Sequence, residues 1–255
     1  MIKYNSVITS ESDFLKDVKL KNPLTMVGYG DSWMAGAAAT GFIGTDRNLI
    51  PSFINQFRDY LLTINPNITF INTGGSGYSS ADGLTNFQIK VLDFTPDYLI
   101  LNFGINDWDG KNEVNRVLVP DFITNMQNMI DQAILNDIKV ILYTSGVVSL
   151  ATKTYNYVDE RAGTAVKYSP IPEDGLTYKF KDYLTAVRNL ATQNNLMLID
   201  SFDRMDKACD AGMDIGNWFY DAIHLLQPGH NFIGQSFINS LKIETVNNFH
   251  SLRRI

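Results

Sequence analysis

The sequence predicts an α/β fold in which helices cover both faces of a parallel sheet. Five short apolar runs recur along the chain, amphipathic segments with helical spacing separate them, and several runs end in glycine-containing turns. Because strands that alternate with helices are joined by right-handed crossovers, this order predicts a three-layer α/β/α sandwich. In such a fold, ligands bind beyond the carboxyl ends of the strands.

The five apolar runs are the predicted strands. They are expected at 24–27, 67–72, 97–103, 138–143 and 196–200. The third run is apolar over nearly its whole length, which is typical of a strand buried on both faces. This strand is therefore expected at the centre of the sheet.

Apolar residues at helical spacing predict the covering helices. These are expected over 11–18 and 49–61, from Pro120 to Ala133, over 180–190 and from Pro228 onward. The segment from Gly146 to Gly175 lacks clear periodicity, and the stretch after the fifth strand is expected to be irregular. Since long loops in compact domains usually serve function, Gly146 to Gly175 is predicted to form a substrate-facing lid or wall.

Length and composition indicate one large domain. The chain has 255 residues, of which 45% are hydrophobic, and this is enough to bury a full core. It contains no proline-, glycine- or serine-rich linker and no internal repeat. We expect a polar lead-in at residues 1–22 and a single catalytic domain at 23–255.

Charge and cysteine content narrow the possible partners. The formal net charge of −6 argues against a nucleic-acid surface or an anionic membrane surface. A single cysteine, Cys209, excludes an intrachain disulfide framework and a cysteine-based zinc cluster, and it is interpreted as a small apolar filler. No apolar stretch has the length of a membrane span or the pattern of a signal peptide, so a cytoplasmic location is the default, with export by another route as the alternative.

A candidate nucleophile follows the first predicted strand. Gly28 and Gly30 allow the chain to turn sharply after the strand, which leaves Ser32 on a loop or on a first helical turn. Gly, Asp and Ser are also the commonest turn residues, so an ordinary turn is the alternative interpretation. The residues further along the chain decide between the two.

Polar or glycine residues follow four of the five predicted strands. Ser32 follows the first strand, Gly77 the second and Asn106 the third, while Asp221 and His224 lie on the segment after the fifth. Because parallel strands end at one edge of a sheet, these residues are expected to lie together. Unrelated turn residues would be spread over both edges.

The residue types in this group suit acyl transfer. A hydroxyl becomes a good nucleophile when a base accepts its proton, and imidazole, with an unperturbed pKa of about 6.5, suits that task. Of the three histidines, His230 is expected in a surface or capping role in the last helix, and His250 lies near the end of the sequence. His224 has a carboxylate, Asp221, three residues earlier, a spacing that lets the two side chains meet.

Three donors could stabilise the oxyanion of the tetrahedral intermediate. These are the backbone N–H groups of Ser32 and Gly77 and the side-chain amide of Asn106. The glycine lets the backbone approach a substrate, and the amide is a donor that does not titrate. A simple turn or helix cap is the alternative interpretation for Asn106 and Asp107.

Four sequence blocks resemble those of the SGNH hydrolase superfamily, also called the GDSL esterases and lipases. The blocks are Gly30-Asp31-Ser32, Asn72-Thr73-Gly74-Gly75-Ser76-Gly77, Gly104-Ile105-Asn106-Asp107 and Asp221-Ala222-Ile223-His224. The resemblance implies a flavodoxin-like sandwich with five parallel strands. It also implies that Ser32 is the nucleophile, that Gly77 and Asn106 complete the oxyanion hole, and that Asp221 and His224 complete the triad.

The residue after the candidate nucleophile differs from the Gly-Asp-Ser-Leu motif for which the GDSL family is named. Trp33 stands where the name has leucine, although that position varies in the family. The α/β-hydrolase superfamily is set aside, because its Gly-x-Ser-x-Gly elbow has a second glycine where this chain has Met34.

Aromatic residues stand beside all the later blocks as well. Trp33, Tyr78, Trp108 and Trp218 adjoin the candidate site residues in the sequence. Their rings either pack the loops or stack against a sugar or an acyl ester. The substrate hypothesis is a small-molecule or glycan ester with a short acyl group, such as an O-acetyl group on carbohydrate, cleaved without a metal or an organic cofactor.

Three other functions stay open from the sequence. A lipase-like preference for longer acyl chains would use the same residues. A non-catalytic carbohydrate-binding module on the same fold is a second possibility, although Ser32, Asp221 and His224 are all present. A flavin or nucleotide-phosphate site near Gly74 to Gly77 is a third, but no dinucleotide or phosphate-loop motif follows a strand.

Overall fold

The structure is a computed structural model that describes residues 10–40, 46, 48–108, 116–148, 155–159, 164–168, 178–221 and 223–251. Its strands are β1 (Leu24–Gly30), β2 (Ile68–Asn72), β3 (Tyr98–Asn102), β4 (Lys139–Tyr143), β5 (Tyr155–Asp159), β6 (Thr164–Tyr168) and β7 (Met197–Ile199). Its helices are α1 (Glu11–Lys19), α2 (Ser32–Ala35), α3 (Phe53–Ile64), α4 (Ser80–Thr85), α5 (Phe87–Lys90), α6 (Ile105–Trp108), α7 (Val119–Leu135), α8 (Phe180–Gln193), α9 (Ser201–Asp210) and α10 (Gln227–Ser251).

Five strands form one parallel sheet in the order β2-β1-β3-β4-β7. Counted along the chain, this is the order 2-1-3-4-5 of flavodoxin-like folds. All five predicted strands are confirmed, with small shifts at their ends. Every residue of β3 is buried, as its apolar sequence predicts for the central strand.

Helices cover both faces of the sheet. On one face α1, α3 and α10 pack against one another, and on the other α7 packs against α4 and α8. The strand side chains and the apolar helix faces form one continuous core. The predicted three-layer sandwich is confirmed.

The first helix contributes to this core. Ser10 caps α1 by accepting the N–H of Asp13, and Phe14, Leu15 and Val18 are buried against the rest of the domain. Residues 10–22 therefore add a packed helix to one layer. The domain boundary at residue 22 stays a prediction.

Two expectations of irregular structure are wrong. The stretch after β7 forms α9, which Asp200 caps and which buries Phe202 and Met205. Within the segment from Gly146 to Gly175, β5 and β6 pair as an antiparallel hairpin, because their Tyr, Val and Thr residues favour extended backbone. The rest of that segment after Val148 lies outside the described residues, and its role as a lid or wall stays a prediction.

Among the described residues, no helix combines the length and the apolar character needed to cross a bilayer.

Candidate active site

The serine turn, residues 30–36, connects β1 to α2. Asp31 caps α2 by accepting the Trp33 N–H at 2.8 Å, and Ser32 is the first residue of the helix. A Cβ at Gly30 would lie 2.5 Å from the carbonyl oxygen of Asn102, so glycine is required where β1 turns away from β3. The turn leaves Ser32 at the carboxyl edge of the sheet with 4% of its surface exposed.

A chain of hydrogen bonds runs from Ser32 through His224 to Asp221. The Ser32 Oγ lies 3.0 Å from His224 Nε2, and His224 Nδ1 lies 2.9 Å from Asp221 Oδ2. Asp221 is buried, while about a quarter of the His224 side chain is exposed. The imidazole can therefore exchange protons with a substrate while the carboxylate orients it.

The histidine loop, residues 219–225, is closed on itself. Phe219 and Leu225 pair as an isolated antiparallel bridge, and the Tyr220 N–H donates to the His224 carbonyl. The Asp221 Oδ1 also accepts the backbone N–H groups of Ile223 and His224, at 2.9 and 2.7 Å. One carboxylate thus shapes the loop with one oxygen and holds the imidazole with the other.

Gly77 lies on an exposed turn after β2. Its φ of +78° is in the left-handed region, whereas a Cβ there would meet no atom within 4 Å. Glycine is therefore required by the backbone angle rather than by close packing. Among the described residues, the N–H groups of Gly77 and Ser32 donate no hydrogen bond, so both are available to a ligand.

Asn106 lies in α6, at the end of β3, and contacts the Gly77 turn. Its Nδ2 donates to the Tyr78 carbonyl at 2.9 Å. The adjacent Asp107 accepts hydrogen bonds from the backbone N–H and the hydroxyl of Ser80, at the start of α4. These bonds join the loops after β2 and β3, and the tie through Asp107 was not foreseen from the sequence, although this residue follows Asn106 directly in its block.

Burial and hydrogen bonding give three acidic groups near the site different pKa values. Burial raises the pKa of Asp31 to about 7 and that of Asp107 to about 6, although hydrogen bonds that each accepts oppose the shift. Burial acts in the same direction on Asp221, but the hydrogen bond and charge of His224 outweigh it and lower its pKa to about 2. Asp221 therefore stays ionised across the neutral range.

The three tryptophans near the site are packed inside the protein. Trp33, Trp108 and Trp218 are 3%, 1% and 8% exposed, and the last two contact Phe180 and Phe232 with tilted rings. Such burial favours the packing interpretation over stacking on a sugar. Tyr78 is half-buried, and a Cβ at Gly75 would lie 2.4 Å from its ring, so it covers the turn that carries Gly77.

His230 is not a surface residue, which corrects the surface part of the sequence prediction, although its Nδ1 accepts the N–H of Phe53, the first residue of α3, as a capping group does. It is 1% exposed, stacks on Phe53, and its Nε2 donates to the Ala37 carbonyl. Burial lowers its pKa to about 4, so it is neutral and structural. Cys209 is partly buried against the core.

Metal-binding groups are not evident in the described part of the chain. No cluster of three or more His, Cys, Asp or Glu side chains there has the arrangement to hold a metal ion.

Solved structures with similar folds cover most of the chain. A catalytic mutant of Axe2, an acetylxylan esterase from Geobacillus stearothermophilus, matches with a TM-score of 0.65 and 16% identity, over 88% of this chain and 96% of that one. The acetyl xylan esterase AlAXEase matches with a TM-score of 0.63 and 21% identity, over 85% and 99%. LAE5, an α/β hydrolase enzyme from the metagenome of Lake Arreo, Spain, matches with 0.64 and 19%, over 86% and 95%. At these identities the likeness shows a shared fold.

A Ser–His–Asp chain at the strand ends of an α/β/α sandwich is typical of serine hydrolases. The sequence profile of the GDSL-like lipase/acylhydrolase family matches residues 29–232, which include the candidate site. The protein belongs to this family and is a serine carboxylic ester hydrolase. A search of curated proteins finds no match.

Proposed function

We propose that Ser32, His224 and Asp221 act as a catalytic triad that hydrolyses short-chain acyl esters. The observation that carries the proposal is the unbroken hydrogen-bonded chain, with 3.0 Å between Ser32 Oγ and His224 Nε2 and 2.9 Å between His224 Nδ1 and Asp221 Oδ2. These distances allow a proton to move from the hydroxyl to the imidazole without rearrangement.

Acylation begins when the Ser32 Oγ attacks the ester carbonyl carbon and its proton passes to His224 Nε2. The carbonyl π electrons move onto the oxygen, which becomes the oxyanion. When the intermediate collapses, the bond to the alcohol oxygen breaks, and His224 returns the proton to that oxygen. The products of this half-reaction are the free alcohol and an acyl ester on Ser32.

Deacylation repeats the same steps with water. His224 takes one proton from a water molecule as its oxygen attacks the acyl carbon, and it then protonates the Ser32 Oγ as the acyl bond breaks. Asp221 stabilises the imidazolium in both half-reactions because it is ionised and held against Nδ1. The carboxylic acid leaves and the free serine is restored.

Three donors are proposed to hold the oxyanion. They are the Ser32 N–H, the Gly77 N–H and the Asn106 amide, and the first two donate no hydrogen bond among the described residues. The Asn106 Nδ2 has two hydrogens, so one remains for a ligand while the other binds the Tyr78 carbonyl. The ties between the two loops support a preorganised set of donors.

The proposed substrate is an O-acetyl ester of a carbohydrate. The half-buried ring of Tyr78, adjacent to Gly77, supplies an aromatic surface at the site. Two of the similar folds belong to proteins described as acetylxylan or acetyl xylan esterases, which makes acetylated xylan a reasonable first substrate to test. A preference for long acyl chains is the alternative outcome.

The test compares initial rates on p-nitrophenyl acetate, p-nitrophenyl octanoate and acetylated xylo-oligosaccharides. Ser32→Ala should lose at least about 10³-fold in kcat on any substrate that is turned over, because the nucleophile is gone. Ser240→Ala is the matched control, since Ser240 is a buried serine on α10 whose hydroxyl, within the described part of the chain, bonds only to the Phe237 carbonyl.

Each outcome decides one part of the proposal. Acetate turnover lost in Ser32→Ala and kept in Ser240→Ala supports the triad and the short acyl group. A rate on octanoate well above that on acetate would reject the short-acyl assignment. Full activity in Ser32→Ala would reject the triad itself.

A further inference from the structure

Trp33 joins the candidate nucleophile helix to the histidine loop. Its indole Nε1–H donates to the Ile223 carbonyl at 3.0 Å, across 190 residues of sequence. Ile223 is the residue directly before His224, and Trp33 is the residue directly after Ser32. One hydrogen bond from a side chain to a backbone carbonyl therefore links the two residues that are adjacent to Ser32 and His224.

The indole ring makes this contact from inside the protein. Trp33 is 3% exposed, and a Cβ at Gly146 would lie 2.9 Å from its Cη2 and 2.7 Å from the Met205 Sδ. The ring is thus packed on the Gly146 backbone beside Met205 and is shielded from solvent. This packing fixes the orientation of the indole, so its N–H stays directed at the Ile223 carbonyl.

No strand of the sheet leads directly into the histidine loop, so its position relative to Ser32 depends on contacts with other segments, of which the Trp33 bond lies nearest in sequence to both reacting residues. The serine turn follows β1 directly, whereas α9 and a further turn separate the loop from β7. The internal bonds of the loop fix its shape, from the Phe219–Leu225 bridge to the two N–H groups that Asp221 accepts. They do not fix its distance from Ser32, and the Trp33 bond acts on that distance.

We propose that Trp33 is a positioning residue that holds His224 against Ser32 through its indole N–H. The proposal rests on the triad function given above. It replaces the expectation that the tryptophan next to the serine binds substrate. Losing the bond should leave the substrate site intact but let the imidazole move relative to the hydroxyl.

The expected effect is on turnover rather than on substrate binding. Misplacing a reacting group by about 1 Å can cost about 10²-fold in rate, so the loss of one positioning bond should lower kcat by about 10-fold or more. KM should stay within about two-fold of the wild-type value, because the ring is buried and offers almost no surface to a substrate. A residue that contacts substrate would change KM.

The experiment compares loss of the donor together with ring packing, loss of the donor alone and loss of neighbouring packing alone. Trp33→Phe removes the N–H together with part of the ring, and 3-benzothienylalanine at position 33 keeps the ring shape with sulfur in place of N–H. Met205→Ala is the matched control, since Met205 is fully buried beside the same indole and bonds to neither reacting residue. For all variants, kcat and KM on the best wild-type substrate and the melting temperature are measured.

The proposal predicts a lower kcat at unchanged KM in both Trp33 variants and a lower melting temperature with unchanged kcat in Met205→Ala. Wild-type kcat in the benzothienylalanine variant would overturn it, as would an equal loss of kcat in Met205→Ala or a raised KM alone. Failure of the triad is distinguishable, because it would appear as retained activity in Ser32→Ala whatever the Trp33 variants do.

Discussion

The two sides of the site are built by different kinds of contact. The serine turn continues directly from a central strand: β1 enters it, Asp31 caps α2 by accepting the Trp33 N–H, and Gly36 ends the helix with a φ of +76°. Neighbouring segments also hold it, since the Asn72 amide donates to the Met34 carbonyl and the Gly75 N–H donates to the Gly30 carbonyl. The histidine loop depends on contacts that are distant in sequence, because the Trp33 indole and the Ser32 hydroxyl both reach it from about 190 positions away. The nucleophile side is set by a strand end and the acid–base side by tertiary docking.

This difference indicates where the site can be disturbed separately. Changes on the serine side act on residues whose backbone is held by the central sheet, so they should alter chemistry or stability without moving the turn. Changes on the histidine side can unfold the histidine loop, move it away from Ser32 or abolish proton transfer by His224. The predictions below separate these effects, from the largest to the smallest.

The largest loss of activity is expected on substitution of Asp221, whose effect on catalysis can be separated from its effect on stability. Asp221→Asn should lower kcat by about 10⁴-fold, because an amide stabilises the wrong imidazole tautomer. The asparagine Oδ1 can still accept the N–H groups of Ile223 and His224, so the loop should keep its shape. Steady-state kinetics and thermal melting measure the two effects.

Asp221→Ala provides the comparison for that prediction. It should lose a similar factor in kcat and, in addition, about 1–2 kcal/mol of stability, because both loop N–H groups lose their acceptor. Equal melting temperatures for the Asn and Ala variants would contradict the role of Asp221 in shaping the loop.

A smaller effect is expected at Asn106, on the strand-end side. Asn106→Ala should lower kcat by about 10² to 10³-fold with little change in KM, as expected for one oxyanion donor. Asn125→Ala is the control, because the Asn125 amide bonds to the Ser80 hydroxyl in the same network and reaches Asn106 only indirectly. A comparable loss of kcat in the two variants would indicate that catalysis depends on the hydrogen-bond network as a whole rather than on the Asn106 amide.

The smallest effect is expected at Asp31 and concerns stability. Burial raises the pKa of Asp31 from its ordinary value of 3.8 to about 7, so the folded protein keeps a proton that the unfolded chain releases between these values. The free energy of unfolding should therefore fall as the pH rises from about 4 to about 7. Asp31→Asn removes the contribution of Asp31 to this dependence and keeps the Oδ1 that accepts the Trp33 N–H.

The variant should gain about 1–3 kcal/mol over the wild type at pH 8, because the ionised Asp31 has a buried Oδ2 that accepts no hydrogen bond from the residues that the structure describes. At pH 4 the two proteins should have nearly equal stability. Denaturant unfolding at both pH values measures the difference, and parallel shifts at the two values would show that ionisation of Asp31 is not the cause.

Local sequence was sufficient for the elements that begin or end at a clear signal. The apolar runs located all five strands of the parallel sheet, and Pro120 lies at the start of α7 as expected. Local sequence was less reliable for short elements whose few apolar residues stand among polar ones. The α9 helix is rich in charged residues and buries few side chains, and the strands of the β5–β6 hairpin have five residues each.

The histidines show the same limit at the level of a site. The sequence favoured His224 because a carboxylate stands three residues earlier, and these two side chains meet at 2.9 Å. It assigned His230 to the surface, because a helical position alone does not say which face of a helix packs against α3. In the fold the His230 ring stacks on Phe53 and is shielded from solvent.

By itself, the sequence determined the five strands of the sheet, most of the helices that cover it and the pairing of Asp221 with His224. These follow from hydrophobic periodicity and from residue spacing, which depend on neighbours a few positions apart. Only the tertiary structure decided that Trp33 points inward to Ile223, that Asp107 ties two loops together, and that burial raises the pKa of Asp31. Each of these depends on side chains brought together from distant parts of the chain and on the water that their packing excludes.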